Sequence, residues 1–342
     1  GAYHRMELQE KKPLLFINKD LKKLIWPLII EQLLTVLVGM MDTIMVASVG
    51  EAGVSAVSLV DSIMILIIQI FAAIATGGAV VAGQFLGAKE EDNACSAANQ
   101  LVLFIAALSV GVMALVYLLR GFILHQVFGQ ISPEVMAYCS TYLDIVSLSI
   151  PFIALYNGGA ALFRTMGNSK ISMYTSLLMN AINVVGNAIL IYGFKMEVAG
   201  AAIPTLFSRI VAAVVMIALL RNPKLLVHLK RPFVLRFNGG LIKSILYIGV
   251  PNGLENSMFQ LGKIMLLSLV SGFGTAAIAA NAVGNTLATF MVLPGMALGF
   301  AVITVISRCI GAGDYEQARY FTKKLLKITY LSMLVTNILV VV

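Results

Sequence analysis

Asp42 stands in the middle of an apolar run, LVGMMDTIMVASVG (37–50), where a carboxylate without water or a partner is costly. Glu31, Asp61, Asp144 and Glu255 sit in comparably apolar surroundings. A carboxyl group taken out of water can bind and release a proton as its surroundings alternate between wet and dry. Ringed by amide and hydroxyl oxygens, it could equally hold a sodium ion, which favours hard oxygen ligands. Enzyme chemistry has little support. His4, His125 and His228 lie outside the apolar runs, no HExxH or GxSxG occurs, and no residue is assigned a catalytic role. Cys95, Cys139 and Cys309 show no disulfide framework or metal-ligand spacing, and no resident metal or cofactor is expected.

Helix geometry says which groups could meet Asp42. It lies 18 residues beyond Leu24, about 27 Å along a helix. On a segment running the same way from Ile171, Asn187 reaches about 24 Å, with Asn183 one turn below it on the same face. Thr205, on a segment returning in the opposite sense, lies about 10 Å from its start. Asp42, Asn183, Asn187 and Thr205 are therefore expected at comparable depth, with Asn180 and Asn157 as further ion-coupling candidates. Glu31 falls within roughly 20° of the face of Asp42, some 16 Å nearer the helix start.

The scaffold that must hold these groups is a membrane bundle. Hydrophobic residues make up 59% of the chain and charged residues 12%, against roughly 45–50% and 25% in soluble domains; mean hydropathy is +0.93. Nine spans are predicted, at 24–49, 56–86, 98–119, 137–163, 171–193, 198–220, 241–270, 275–307 and 321–342, giving an all-α polytopic protein. With the N-terminus cytoplasmic, 20 of the 24 lysines and arginines fall on the cytoplasmic side, as the positive-inside rule requires. The formal charge of +8 is thereby explained by the membrane surface, without nucleic acid. A cytoplasmic arm (1–23), a first lobe (24–220), a cytoplasmic linker (221–240) and a second, incomplete lobe (241–342) follow.

The chain also repeats. GQFLGAKEEDNA after the second span resembles SRCIGAGDYEQA after the eighth, and aligning Gly87 with Gly311 gives an offset of 224. The same offset pairs Pro27 with Pro251, Glu31 with Glu255, Gly50 with Gly274 and Asp61 with Asn285. Six spans separate the copies, so they run parallel, an arrangement that places a transport path between the halves. The second copy is expected to lack three spans, as in a truncated chain or a fragment. Pro27 and Pro251 each free a helix carbonyl and favour a kink, and that carbonyl must find a partner inside the protein. Gly87 and Gly311 suit both a left-handed helix end and close helix packing.

The combination of Pro27, Asp42 followed by ASVG, GQFLGAKEEDNA, RTMGNSK (164–170), NVVGNAILIYG (183–193), AGAAIPT (199–205) and GVPNGLE resembles the MATE (multidrug and toxic compound extrusion) transporters. That resemblance implies a two-lobe bundle of six plus six spans in the cell membrane, working as a monomer. It also implies export of cationic or amphipathic small molecules by antiport against protons or sodium. In one prokaryotic branch a first-span aspartate, a fifth-span Asn-x-x-x-Asp and a sixth-span threonine form the coupling site. Asp42, Asn183, Asn187 and Thr205 match it, with Asn187 standing where that branch has an acid. Glu31, Glu255, Gln260, Lys263 and Asn281 are candidates for the substrate path. Asp61, Asp144 and Arg209 are expected to form structural ion pairs. A flippase for lipid-linked saccharides shares the architecture but wants a strongly cationic cavity, and only Arg209 and Lys263 lie mid-span. An intramembrane enzyme is the weaker rival.

Overall fold

The computed structural model describes residues 13–129, 131–273 and 275–342. Arg5, Lys11 and Lys12 of the arm and Gly274 of the repeat lie outside the described residues. Ten helices carry the fold: α1 (Asn18–Ala47), α2 (Glu51–Gly87), α3 (Glu91–Leu118), α4 (Pro133–Ser147), α5 (Ile150–Thr165), α6 (Ser169–Asn187), α7 (Ala199–Leu220), α8 (Gly239–Ser271), α9 (Thr275–Gly311) and α10 (Tyr315–Val341). A π-helical turn, Ala188–Gly193, extends α6, and no strand occurs among the described residues. Local chemistry sets several starts. The Ser132 hydroxyl accepts from the Val135 N–H ahead of Pro133, the Asn238 side chain accepts from the N–H groups of Gly240 and Leu241, and Asp314 accepts from that of Gln317.

Among the described residues, seven helices are long and apolar enough to cross a membrane, and the pair α4–α5, bent by 47°, makes eight. The ninth expected span, 241–270, coincides with α8, which has the length but carries Asn252, Glu255, Asn256, Gln260 and Lys263 along it. Those five polar residues interrupt its apolar run.

The repeat reappears in the backbone. α2 and α9 begin and end 224 residues apart, α3 and α10 begin 224 apart, and α1 and α8 end 224 apart. The left-handed turn falls at Lys89 (φ 61°) and its repeat mate Gly313 (φ 71°), two residues beyond the expected Gly87 and Gly311. Those glycines are instead contact points between the halves: a Cβ on Gly87 would overlap the Arg308 carbonyl, and one on Gly311 the Gln84 carbonyl. Gln84 and Arg308 are themselves repeat mates, so the crossing is self-complementary about a pseudo-two-fold axis.

Each half's first helix packs on the other half's second helix: α8 mainly on α2, and α1 on α9 as well as on α6 of its own half. Gly77 of α2 meets the Ile245 carbonyl of α8. By the offset, the equivalent contact sets Leu21 and Ile25 of α1 against Ala301 of α9, in one buried cluster with Leu24, Leu28, Val305, Phe321 and Leu325. These contacts lie toward the end of the bundle where the basic residues gather, here termed the basic end. The larger buried cluster joins α2, α3, α5 and α7 and includes Phe71, Leu101, Ile105, Leu162, Phe163 and Met216.

The connector 221–238 is tied down by two amides of α3. Asn99 donates to the Val234 carbonyl (2.9 Å) and accepts from the Val234 N–H (3.4 Å); Gln100 donates to the Arg236 carbonyl (2.8 Å) and accepts from the Asn238 N–H (2.8 Å).

Candidate functional site

The polar residues of α6 at Ser172, Ser176, Asn180, Asn183 and Asn187 recur at helical spacing and line one stripe. Its neighbour α1 carries Glu31, Thr35, Gly39 and Asp42 at matching intervals. The two helices pack together, so one seam holds two polar centres at different depths.

At the end remote from the basic residues, Asn187 Nδ2 donates to Asp42 Oδ1 (2.9 Å) and Asn183 Nδ2 donates to Asp42 Oδ2 (3.3 Å). The Thr205 hydroxyl lies 3.4 Å from Asn183 Oδ1 and donates to the Ala201 carbonyl at 2.9 Å. The geometry thus brings Asp42, Asn183, Asn187 and Thr205 together across α1, α6 and α7. Both carboxylate oxygens act as acceptors, the pattern of an ionised group. Asn187 is 2% exposed, and its carbonyl oxygen is buried without a donor. A proton brought in on Asp42, or a sodium ion beside it, would supply the positive partner this oxygen lacks.

A cavity of about 220 Å³ opens on Asp42, lined also by Gly39, Asn187, Thr205, Asp61 and Tyr142. The Tyr142 hydroxyl donates to Asp61 Oδ1 at 3.0 Å. Asp61 is the residue that sequence reasoning undervalued. Arg209 is near enough to act on it electrostatically, yet its guanidinium donates to the Ser149 hydroxyl (2.8 Å), and no direct ion pair joins the two. Asp144 departs further from expectation: it pairs with Arg120, which stands just beyond the end of α3, through Nε–Oδ1 at 2.5 Å and Nη2–Oδ2 at 3.0 Å. Asn187 replaces an acid of the resembling pattern, and Asp61 brings a second carboxylate into the same cavity from α2.

Nearer the basic end lies a second cavity, of about 230 Å³, between the halves. Glu31 is 4% exposed; it pairs with Arg164 (Nη2–Oε1, 3.1 Å) and accepts from the Ser172 hydroxyl (2.8 Å). The Arg164 guanidinium lies 4.2 Å from the ring centroid of Phe300 on α9. Two further bonds cross between the halves: the Thr304 hydroxyl donates to the Arg164 carbonyl and Arg308 to the Thr165 carbonyl, both at 3.0 Å. Asn157 and Asn180 line this cavity rather than that of Asp42. Asn180 does share the face of Asn187, but seven residues separate them, about 10 Å of depth.

Pro27 lies inside α1, and the carbonyl it frees, that of Lys23, receives the Ser169 hydroxyl at 3.3 Å, with the Leu24 carbonyl at 2.7 Å. Pro251 lies inside α8 and is exposed. The second-half candidates form no comparable centre. Glu255 and Lys263 are exposed, Gln260 and Asn281 are half-buried, and none of the four lines either cavity. The Lys263 ammonium sits 5.0 Å from the Phe259 ring.

A family model described as MatE matches residues 27–189 and 251–342; the two matches begin at Pro27 and Pro251, the same offset of 224. The chain is 27% identical over 304 residues to "Uncharacterized transporter YisQ" of Bacillus subtilis, covering 87% of this chain and 66% of that protein. It is 29% identical over 294 residues to "Probable multidrug resistance protein YoeA" of the same organism, covering 83% and 62%. The chain therefore spans a little under two thirds of the length of these relatives. Its fold is similar to that of a MATE crystallised in complex with MaL6, with a TM-score of 0.86 at 21% identity, over 91% of this chain and 69% of that one.

Proposed function

This chain belongs to the MatE family, and from that premise we propose that it acts in ion-coupled export. In this reading an antiporter carries cationic or amphipathic small molecules, drugs among them, out across the plasma membrane by alternating access. The coupling ion is a proton or sodium, the N-terminus is cytoplasmic, and the protein works as a monomer. The observation that carries this reading is Asp42, a carboxylate on a membrane-spanning helix, held by two amides of α6 and open to a cavity. The relative named for multidrug resistance supports the substrate class.

Ionised Asp42 accepts two N–H bonds. Once protonated, one of its oxygens becomes a donor, and that oxygen's bond from Asn183 or Asn187 is weakened or lost. The displaced hydrogen bonding does not stay local, because Asn183 also engages Thr205 of α7. The charge state of one side chain thereby sets how α1 sits against α6 and α7. Sodium would act on the same oxygens with the opposite demand, turning the amide and hydroxyl oxygens inward. Asp61, sharing the cavity, adds a second negative charge that favours a cation there.

The test reconstitutes the protein in liposomes with a fluorescent lipophilic cation and imposes a proton gradient or a sodium gradient separately. Gradient-driven movement is expected under one of them, and Asp42→Asn is expected to lower it by at least about tenfold while the variant elutes as a folded monomer. Transport by Asp42→Asn at the wild-type rate under the effective gradient would overturn the assignment.

A further inference from the structure

The connector between α7 and α8 carries Lys224, Lys230, Arg231 and Arg236. Interleaved with them are the exposed side chains of Leu226, Val234, Leu235 and Phe237. Apolar and cationic groups mixed in this way belong at the level of lipid headgroups, where both are accommodated. Under the connector runs a groove of about 520 Å³. Its floor is apolar, made by Val102, Leu103 and Ala106 of α3, Leu155 of α5 and Ile217 of α7, and Arg221, Lys230 and Arg231 stand at its mouth. No carboxylate lines it, and the ion pairs among the described residues involve other partners. The three cations therefore converge beside an apolar trough without an internal counter-charge.

We propose that this groove binds one anionic phospholipid of the basic-end leaflet. An acyl chain lies along the floor and the phosphate sits among Arg221, Lys230 and Arg231. The commitment to lipid follows from the two chemistries meeting in one place, since a soluble anion would have no use for the trough. The commitment to an anionic headgroup follows from three unneutralised cations, which a choline headgroup would answer with its own positive charge. The site is independent of the ion-coupling centre and rests only on the membrane-spanning fold. It falls on the segment that joins the two halves, so an occupant would tie the connector to the first lobe, alongside Asn99 and Gln100.

Native mass spectrometry of the protein in mild detergent tests this, with phosphatidylglycerol or phosphatidylcholine of identical chains added. One phosphatidylglycerol is expected to be retained in preference to phosphatidylcholine. Replacing Arg221, Lys230 and Arg231 together by Gln should weaken retention by about fivefold per charge. Leu103→Trp, which fills the floor and leaves the charges, should weaken it as well. Removing three charges elsewhere at the same end, through Lys22, Lys89 and Lys323→Gln, should leave retention unchanged. The proposal fails if the two lipids are retained equally, if the remote triple variant loses as much as the groove triple, or if Leu103→Trp binds normally. It also fails if free glycerol phosphate competes as well as the intact lipid.

Discussion

Replacing Arg164 by methionine keeps much of the side chain's length and removes its charge, and the consequences divide between the two halves. Within the first half, Glu31 loses its cationic partner and retains the Ser172 hydroxyl. With side-chain exposures of 13% and 4% the pair is screened little by water, so stranding the carboxylate should cost about 3 kcal/mol. Across the halves, the guanidinium stacked on Phe300 at 4.2 Å contributes about 1 kcal/mol, roughly fivefold in the population of a closed basic end. The bond from Thr304 to the Arg164 carbonyl involves only backbone on the α5 side and survives the change. Two measurements separate the effects. Thermal unfolding of Arg164→Met, Glu31→Gln and the double variant should show the double variant less destabilised than the sum of the singles, with a coupling of about 2 kcal/mol. Spin labels at Lys89 and Arg319, exposed on opposite halves, should report a longer-distance population that grows in Arg164→Met and in Phe300→Ala. Additive stabilities, or distance distributions identical to wild type in both variants, would refute the idea that Arg164 holds the halves together as well as neutralising Glu31.

Gly87→Ala and Gly311→Ala should each destabilise by about 1–3 kcal/mol, because the added methyl meets a carbonyl of the facing helix. Gly262→Ala, whose Cβ would meet nothing within 4 Å, should be neutral or stabilising by up to about 1 kcal/mol; thermal unfolding in detergent compares the three. Alanine at Asn99 or Gln100 removes two hydrogen bonds to the connector. Tryptic cleavage within residues 224–236 should then accelerate by about fivefold, while cleavage elsewhere is unchanged.

The helices and their repeat were open to sequence reasoning because hydropathy and a constant offset of 224 are linear properties. Four of the six helix ends in the three repeat pairs then fell on that offset to the residue. The meeting of Asp42 with Asn183, Asn187 and Thr205 was legible for a related reason: depth along a straight helix is a matter of counting. What counting does not supply is rotation of one helix relative to another. Asp61, at a suitable depth, was assigned to Arg209, yet it faces the cavity of Asp42. Asp144 found Arg120 instead of Arg209. Arg164 reads in the sequence as a loop charge; it occupies the last turn of α5 and reaches back to Glu31. A signal for that pair did exist, since Glu31 lies only about 10 Å from the same end of the bundle. Asn180 was grouped with Asn187 because shared face was given more weight than the intervening depth, and Asn157 because the register of its span was only loosely fixed; both line the other cavity.

The positions that recur at the offset and those that do not fall into two physical classes. Two helices crossing about a pseudo-two-fold axis place each residue against the mate of its own neighbour, so Gly87 and Gly311 are both needed if either is. Asp42 has no such constraint, and its mate is Leu266. Its one-sidedness matters because of where α1 packs. Near the basic end, Leu24 and Leu28 are buried against Ala301 and Val305 of the other half. Fourteen residues further along, about 21 Å by helix rise, the same helix presents Asp42 to α6 and α7. A change in the charge of Asp42 alters the fit of α1 within the first half. A continuous helix transmits that change to its far end, which by packing belongs to the second. The proposed coupling group therefore sits on a helix that is held at its other end by α9. A site at the same depth on α3, which has no extensive contact with α9, would lack that lever.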